Sequence, residues 1–339
     1  MARVFGRTLG RIATFTILLL LIVLAAGITL TVGWRPVLGP KTRPLTSRKF
    51  EATPERMQRG KYLVEGVVGC VECHSTHDES KHEPVLKGDI GAGSIFINEG
   101  KFRVVAPNIT PDPDTGIGKW SDDAIARAIR EGVAQDGHTL FPIMPYGAFR
   151  NLSDDDVAAI VVYVRSLQPV KSQLPRTSVP FPISRLINTV PQPVTAPVPD
   201  PDLSTPEKRG AYLIKVAVCE ECHTPQNHPP KSGMIPDMYL AGGNMFDAVA
   251  SANITPDDSG IKHYDEALFL QAMRTGYVRA REIKPPMPWS VYRHMNDDDL
   301  KGLFAYLRTV KPVHHSVDNN EPPTQCRLCG NKHGLGDKN

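Results

Sequence analysis

Hydrophobic and polar positions divide the chain into one unbroken apolar run, several helical stripes and one segment with no period. Residues 12–32 are uncharged and largely apolar, ending at Gly33-Trp34. As a helix the run reaches about 31 Å, enough to cross the hydrocarbon of a bilayer. Behind Ser153, apolar residues fall at Val157, Ile160, Val161, Val164 and Leu167; behind Asn296 they fall at Leu300, Leu303, Phe304, Leu307 and Val310. Each set marks one face of a helix. Each cap precedes three aspartates, where carboxylates meet the positive helix end, and each stripe stops before a proline, Pro169 or Pro312. Ser121 caps another helix, with Trp120 and Ile125 as a hydrophobic staple and Gly132 near its end. Further helices open at Pro54 and Pro206. No stretch alternates as a strand does, so the expected fold class is all-α. Residues 168–205 contain nine prolines and read as a stiff, extended connector. Val179, Phe181, Ile183, Leu186 and Ile187 are its expected apolar anchors.

The two halves repeat each other. Arg59-Gly60-Lys61-Tyr62-Leu63 matches Arg209-Gly210-Ala211-Tyr212-Leu213. Asn108-Ile-Thr-Pro-Asp112 matches Asn253-Ile-Thr-Pro-Asp257, Met144-Pro145-Tyr146 matches Met287-Pro288-Trp289, and the aspartate triplets follow in step. The offset between copies shrinks by only a few residues, so this is a duplication with small loop deletions.

The most specific motif also recurs: Cys70-Val71-Glu72-Cys73-His74 and Cys219-Glu220-Glu221-Cys222-His223. CxxCH is the attachment signature of c-type haem, with thioethers from both cysteines and iron ligation by the histidine. Two haem c groups are expected, on Cys70 and Cys73 and on Cys219 and Cys222, with His74 and His223 as proximal ligands. For the distal ligand, Met144 is the only methionine of the first half after His74, and Met287 is its repeat partner. Met234, Met238 and Met245 compete in the second half. His77, His82 and His138 have no register partners among His228, His263 and His294. Asn108 and Asn253 fit a haem propionate contact, a tie that fixes the loop wall, or an Asx or Pro-Asp turn. A net charge of +3 with no basic stripe excludes a nucleic-acid partner.

Taken together, RGxYL before CxxCH, NITPD after it, the Met-Pro turn and the final helix resemble class I cytochrome c domains in tandem. More narrowly, they resemble the cytochrome subunits of periplasmic alcohol, aldehyde and gluconate dehydrogenases. That resemblance implies close crossing of the first and last helices of each domain at Gly60 with Tyr163 and at Gly210 with Tyr306. It implies a membrane-anchored electron relay and no catalysis of its own. Electrons would arrive from a dehydrogenase or quinol-oxidising complex and leave to an oxidase or another cytochrome. The competing class is a dihaem enzyme, a peroxidase or a thiosulfate-oxidising cytochrome. The expected domains are an anchor (1–34), cytochrome domains at 54–168 and 206–313, a linker (169–205) and a tail (314–339).

The apolar run is longer than a cleavable signal peptide needs and reads as an uncleaved single-pass anchor in a bacterial inner membrane, with the haem domains in the periplasm. Charge opposes this orientation: Arg3, Arg7 and Arg11 precede the span, whereas Arg35, Lys41, Arg43, Arg48 and Lys49 follow it. In the tail, Cys326-Arg327-Leu328-Cys329 ends in Gly330 where haem attachment needs histidine. A disulfide is the first reading there; a metal site, free thiols and a third haem are the others.

Overall fold

The computed structural model describes residues 2–78, 83–84, 88–228 and 233–339. Helix α1 (Ala2–Leu30) contains the apolar span Ile12–Leu30. Among the described residues it is the one helix long and apolar enough to cross a membrane. The first half is built on α2 (Pro54–Tyr62), α3 (Asp122–Glu131) and α4 (Asp154–Ser166). The second repeats them as α5 (Pro206–Val216), α6 (Glu266–Thr275) and α7 (Asp297–Thr309). The caps are those the sequence expects: Ser121, Ser153 and Asn296 accept from the backbone N–H of Ala124, Asp156 and Asp299. Gly132 ends α3 in the left-handed conformation.

The fold departs from all-α. Strands β1 (Ser94–Glu99) and β2 (Phe102–Ala106) form an antiparallel hairpin turned at Gly100, with φ of +58°. Most of β1 is exposed on both faces, and its register shifts between Ile95 and Ile97. It therefore leaves no alternating pattern in the sequence. A smaller pair, β3 (Pro323–Gln325) and β4 (Lys332–Gly334), lies in the tail.

Within each half the first and last helices cross at a glycine. A Cβ on Gly60 would collide with the Ala159 carbonyl oxygen, and one on Gly210 would collide with that of Gly302. The crossing brings Arg59 onto Asp156 (2.7 Å) and Arg209 onto Asp299 (2.8 Å). Each carboxylate takes a second donor from the other half: the Tyr212 hydroxyl donates to Asp156 (2.6 Å), and the Tyr62 hydroxyl donates to Asp299. Two reciprocal locks thus join the halves, and one apolar core runs through both, from Leu63, Ile160 and Val161 to Ile214, Leu300 and Leu303.

The N-terminal segment is fastened to the first half. Arg43 donates to Asp123 (2.8 Å) and Glu131 (2.7 Å), and Thr46 and Phe50 donate backbone N–H groups to Asp123 and Asp122. Burial would raise the Asp123 carboxyl, but the Arg43 and Thr46 donors hold it at about 2. One of the five basic residues after the span is thereby a structural ion pair. The connector follows expectation only in part. Val179 and Ile187 are half-buried, whereas Phe181, Ile183 and Leu186 are exposed, Phe181 by 82%. They sit where the connector meets the short turn Arg35–Leu38, so the expected anchoring of these three into the domains is corrected.

The reciprocal locks generate a prediction. Tyr62→Phe and Tyr212→Phe each remove a hydrogen bond to a buried carboxylate and should each cost about 1.5–3 kcal/mol in denaturant unfolding. Burial, reinforced by the facing aspartate, pushes both phenols above their ordinary value. The stabilisation is therefore complete below pH about 10 and lost as pH rises beyond it. Unfolding midpoints for the two variants equal to the parent at pH 7 would contradict the lock.

Candidate functional site

Each CxxCH opens after a left-handed residue, Gly69 (φ +67°) or Val218 (φ +63°), that redirects the chain. The short helices Cys70–Cys73 and Cys219–His223 follow. At i, i+3 and i+4 the two thiols and the imidazole share one helix face, the placement that thioether attachment and iron ligation require together. His74 and His223 are both buried. The His74 Nδ1 lies 2.7 Å from the Pro107 carbonyl oxygen and the His223 Nδ1 lies 2.7 Å from that of Ala252. A carbonyl only accepts, so Nδ1 carries the proton and Nε2 keeps its lone pair for a metal. Burial lowers both imidazoles below their ordinary value, which favours the neutral, ligating form. Burial likewise pushes the Cys70 and Cys219 thiols up to about 12.

All eight residues proposed from the sequence line a single cavity of about 1650 Å³: Cys70, Cys73, His74 and Met144 from one half, Cys219, Cys222, His223 and Met287 from the other. That volume exceeds the roughly 300–1,000 Å³ of a pocket for one ligand. Its walls are mainly apolar, with Trp120, Phe149 and Val164 in the first half and Phe269, Met273 and Leu307 in the second. Met234, Met238 and Met245 are not among its lining residues; Met238 packs under the tail with Cys326 and Cys329. Met273 does line the cavity, from α6 in the apolar core. His138 and His263 stand at its exposed rim, His138 bonded to Asp136 at 2.5 Å. The His77 side chain and His82 lie outside the described residues.

The first attachment motif is entered along a surface of the second half. A Cβ on Gly69 would meet Val291 at 3.2 Å and one on Gly66 would meet the His294 backbone at 3.3 Å. Tyr292 is buried between the motifs and donates its hydroxyl to the Ala217 carbonyl (2.5 Å). Burial holds its phenol well above the ordinary value, and Cys219, Cys222, Glu72 and Cys73 act in the same direction. One ring thus feels both motifs.

Asn108 and Asn253 each form the expected Asx turn and also fix the loop wall. Asn108 Oδ1 accepts from the Thr110 N–H (2.9 Å) and hydroxyl (2.7 Å), and its Nδ2 donates to the Val170 carbonyl (2.7 Å) and Thr115. Asn253 repeats this with Thr255, Val313 (2.9 Å) and Ser259. Each asparagine ties the chain leaving the last helix to the loop beside the cavity. Beyond these ties, Leu174 and Thr177 of the connector cover the first crevice, and Asp318 and Asn319 cover the second. The sequence signal for this covering role was weak, because a proline-rich stretch reads the same whether it spans open space or lines a wall.

Residues 57–168 match the cytochrome c family, so the chain contains a cytochrome c domain, which carries electrons on haem iron. The chain is similar to one of the subunits of nicotinate dehydrogenase from Pseudomonas putida, 33% identical over 95% of this chain and 25% of that protein. It is also similar to the cytochrome c subunit of the quinone alcohol dehydrogenase of Gluconobacter oxydans, 28% identical over 84% of this chain and 61% of the relative. A diheme cytochrome c-type protein of Cereibacter sphaeroides is 29% identical over 89% of this chain and 99% of its own length. The chain thus spans a quarter to three-fifths of the length of the first two and nearly all of the third.

The asparagine network yields a prediction. Asn108→Ala strands the Val170 carbonyl and the Thr110 donors, at a cost of about 1–3 kcal/mol. Proteolysis should quicken in the connector after Val170, with haem content and potential unchanged. A shifted haem potential with unaltered proteolysis would instead assign Asn108 to the propionate.

Proposed function

We propose that the chain is a membrane-anchored dihaem cytochrome c that relays electrons on the periplasmic face of a bacterial inner membrane. Residues 54–168 and 206–313 are tandem cytochrome c domains, joined by the linker 169–205. Haem c is held by Cys70 and Cys73 in one and by Cys219 and Cys222 in the other. His74 with Met144, and His223 with Met287, are the axial pairs. When bound, haem supplies a one-electron iron couple, whose potential a thioether ligand raises. The protein's residues tether and orient the groups and exclude water from the cavity. A dehydrogenase or quinol-oxidising complex would donate, and an oxidase or another cytochrome would accept.

The carrying observation is the common cavity, lined by both CxxCH motifs and both Met-Pro turns. Its volume leaves room for two porphyrins, one beside each CxxCH motif. The anchor reading draws support from the exposed apolar surface beside α1. Trp34, Val37 and Leu38 follow the span and adjoin the connector turn that exposes Phe181, Ile183 and Leu186. Apolar side chains gathered at the end of an exposed apolar helix suit the bilayer interface.

The axial pairs are tested by removing each thioether. Ferrous holoprotein should bind little carbon monoxide. Met144→Ala should open one iron and Met287→Ala the other, each giving about half-stoichiometric binding with haem content retained, and Met273→Ala should open neither. Stoichiometric binding by the unmutated protein, with peroxide turnover, would replace the relay by a haem enzyme.

A further inference from the structure

The tail holds a group of side chains that the relay does not use. His315, Cys326, Cys329 and His333 bring one donor atom each to a common point, all within 4.8 Å of one another. All four are at most 1% exposed. The His315 Nε2 lies 3.3 Å from the Cys326 Sγ, and the His333 Nε2 lies 3.4 Å from the Cys329 Sγ. Each Nδ1 faces a carbonyl instead, Ala241 at 2.8 Å and Gly334 at 3.0 Å. Both imidazoles are therefore fixed in the tautomer that presents a lone pair to the thiols.

The local backbone builds this geometry. β3 and β4 are the two sides of a hairpin whose loop is Cys326 to Asn331. The loop closes with Gly330 N–H donating to the Cys326 carbonyl (3.2 Å) and Cys326 N–H donating to that of Asn331 (2.8 Å). Gly330 takes φ of +77°, and a Cβ there would meet the His228 ring at 2.6 Å. His333 returns on β4, and His315 arrives from the extended segment after α7.

We propose that these four residues form a structural zinc site. Two thiolates and two neutral imidazoles are a tetrahedral donor set for zinc, and four protein ligands leave no open position for catalysis. The single tight cluster of donors suits one ion rather than a two-iron cluster. A disulfide between Cys326 and Cys329 would leave two buried imidazole nitrogens without a partner, which is costly. A bound cation satisfies all four groups at once.

The site sits directly behind the second attachment motif. Ala241, which receives His315, is followed by Gly242, whose N–H donates to the His223 carbonyl (2.6 Å). A Cβ on Gly243 would meet His315 at 2.6 Å and the Cys329 Sγ at 3.2 Å. Asn244 then donates to the Cys222 (3.0 Å) and Thr224 (2.7 Å) carbonyls. Zinc thus staples the tail to the loop that cradles His223. The first half has the connector at the corresponding place.

The test is elemental analysis of the full holoprotein, purified in detergent without metal-affinity steps. One zinc per chain is expected beside the haem iron, with a zinc absorption edge fitting two sulfur and two nitrogen neighbours near ~2.3 and ~2.0 Å. Cys326→Ser with Cys329→Ser should lose zinc and expose the tail to protease. If that variant fails to fold, the zinc count and edge of the parent still decide. Zinc well below one per chain, non-haem iron in its place, or an intact mass carrying a Cys326–Cys329 disulfide would each overturn the proposal.

Discussion

Two buried carboxylates, Asp156 and Asp299, each bound by an arginine of their own half and a tyrosine of the other, set the relation on which the site depends. An unpaired charge at either position would be costly, since removing one partner of a buried pair typically costs about 3–5 kcal/mol. Both donors must therefore stay in place. Arg59 and Tyr62 occupy successive turns of α2, as Arg209 and Tyr212 do on α5, so satisfying both fixes the helices in angle and register. The glycine crossings at Gly60 and Gly210 let the helices come close enough. Once the halves are fixed, the turns carrying Tyr146 and Trp289 fall at the seam, where Gly147 approaches Glu221 and Val291 covers Gly69.

The duplication leaves the two crevices similar in their walls and different in their covers. Asn108 and Asn253 make equivalent bonds, and Gly132 and Gly276 lie beneath equivalent aromatic rings, Tyr146 and Trp289. Beyond Val170 and Val313 the chain diverges. In the first half it becomes the connector, bridging β2 through Arg103 and Ser178. In the second it becomes the tail, folded around His315 and the two thiols. The segment after α1 adds a further asymmetry, because Arg43 fastens it to Asp123 and Glu131 of the first half.

Much of this was legible in the sequence where the physics is local. Helix caps, aspartate triplets and the CxxCH spacing depend on neighbours within a turn, and Ser153, Asn296 and His74 stand where those patterns put them. The β1–β2 hairpin was missed because Ile95 and Phe96 are both exposed, which erases the alternation that marks a strand. Phe181 misled for the opposite reason: its apolarity suggested burial against protein, yet it lies in the open. Long-range partners left no trace. RGxYL reads as a family marker until Tyr62 is seen on Asp299, over two hundred residues away, and no spacing rule links His315 to Cys326, Cys329 and His333.

Both CxxCH motifs line one cavity, and on the proposed reading the haems they hold are close enough to couple. Circular dichroism in the Soret region of the oxidised full-length holoprotein tests it directly, because two porphyrins in one cavity couple their strong transitions. A two-signed couplet centred on the absorption maximum, collapsing when one iron is selectively reduced, is the expected result. A single-signed band that changes on partial reduction only as a sum of two independent haems would contradict the account.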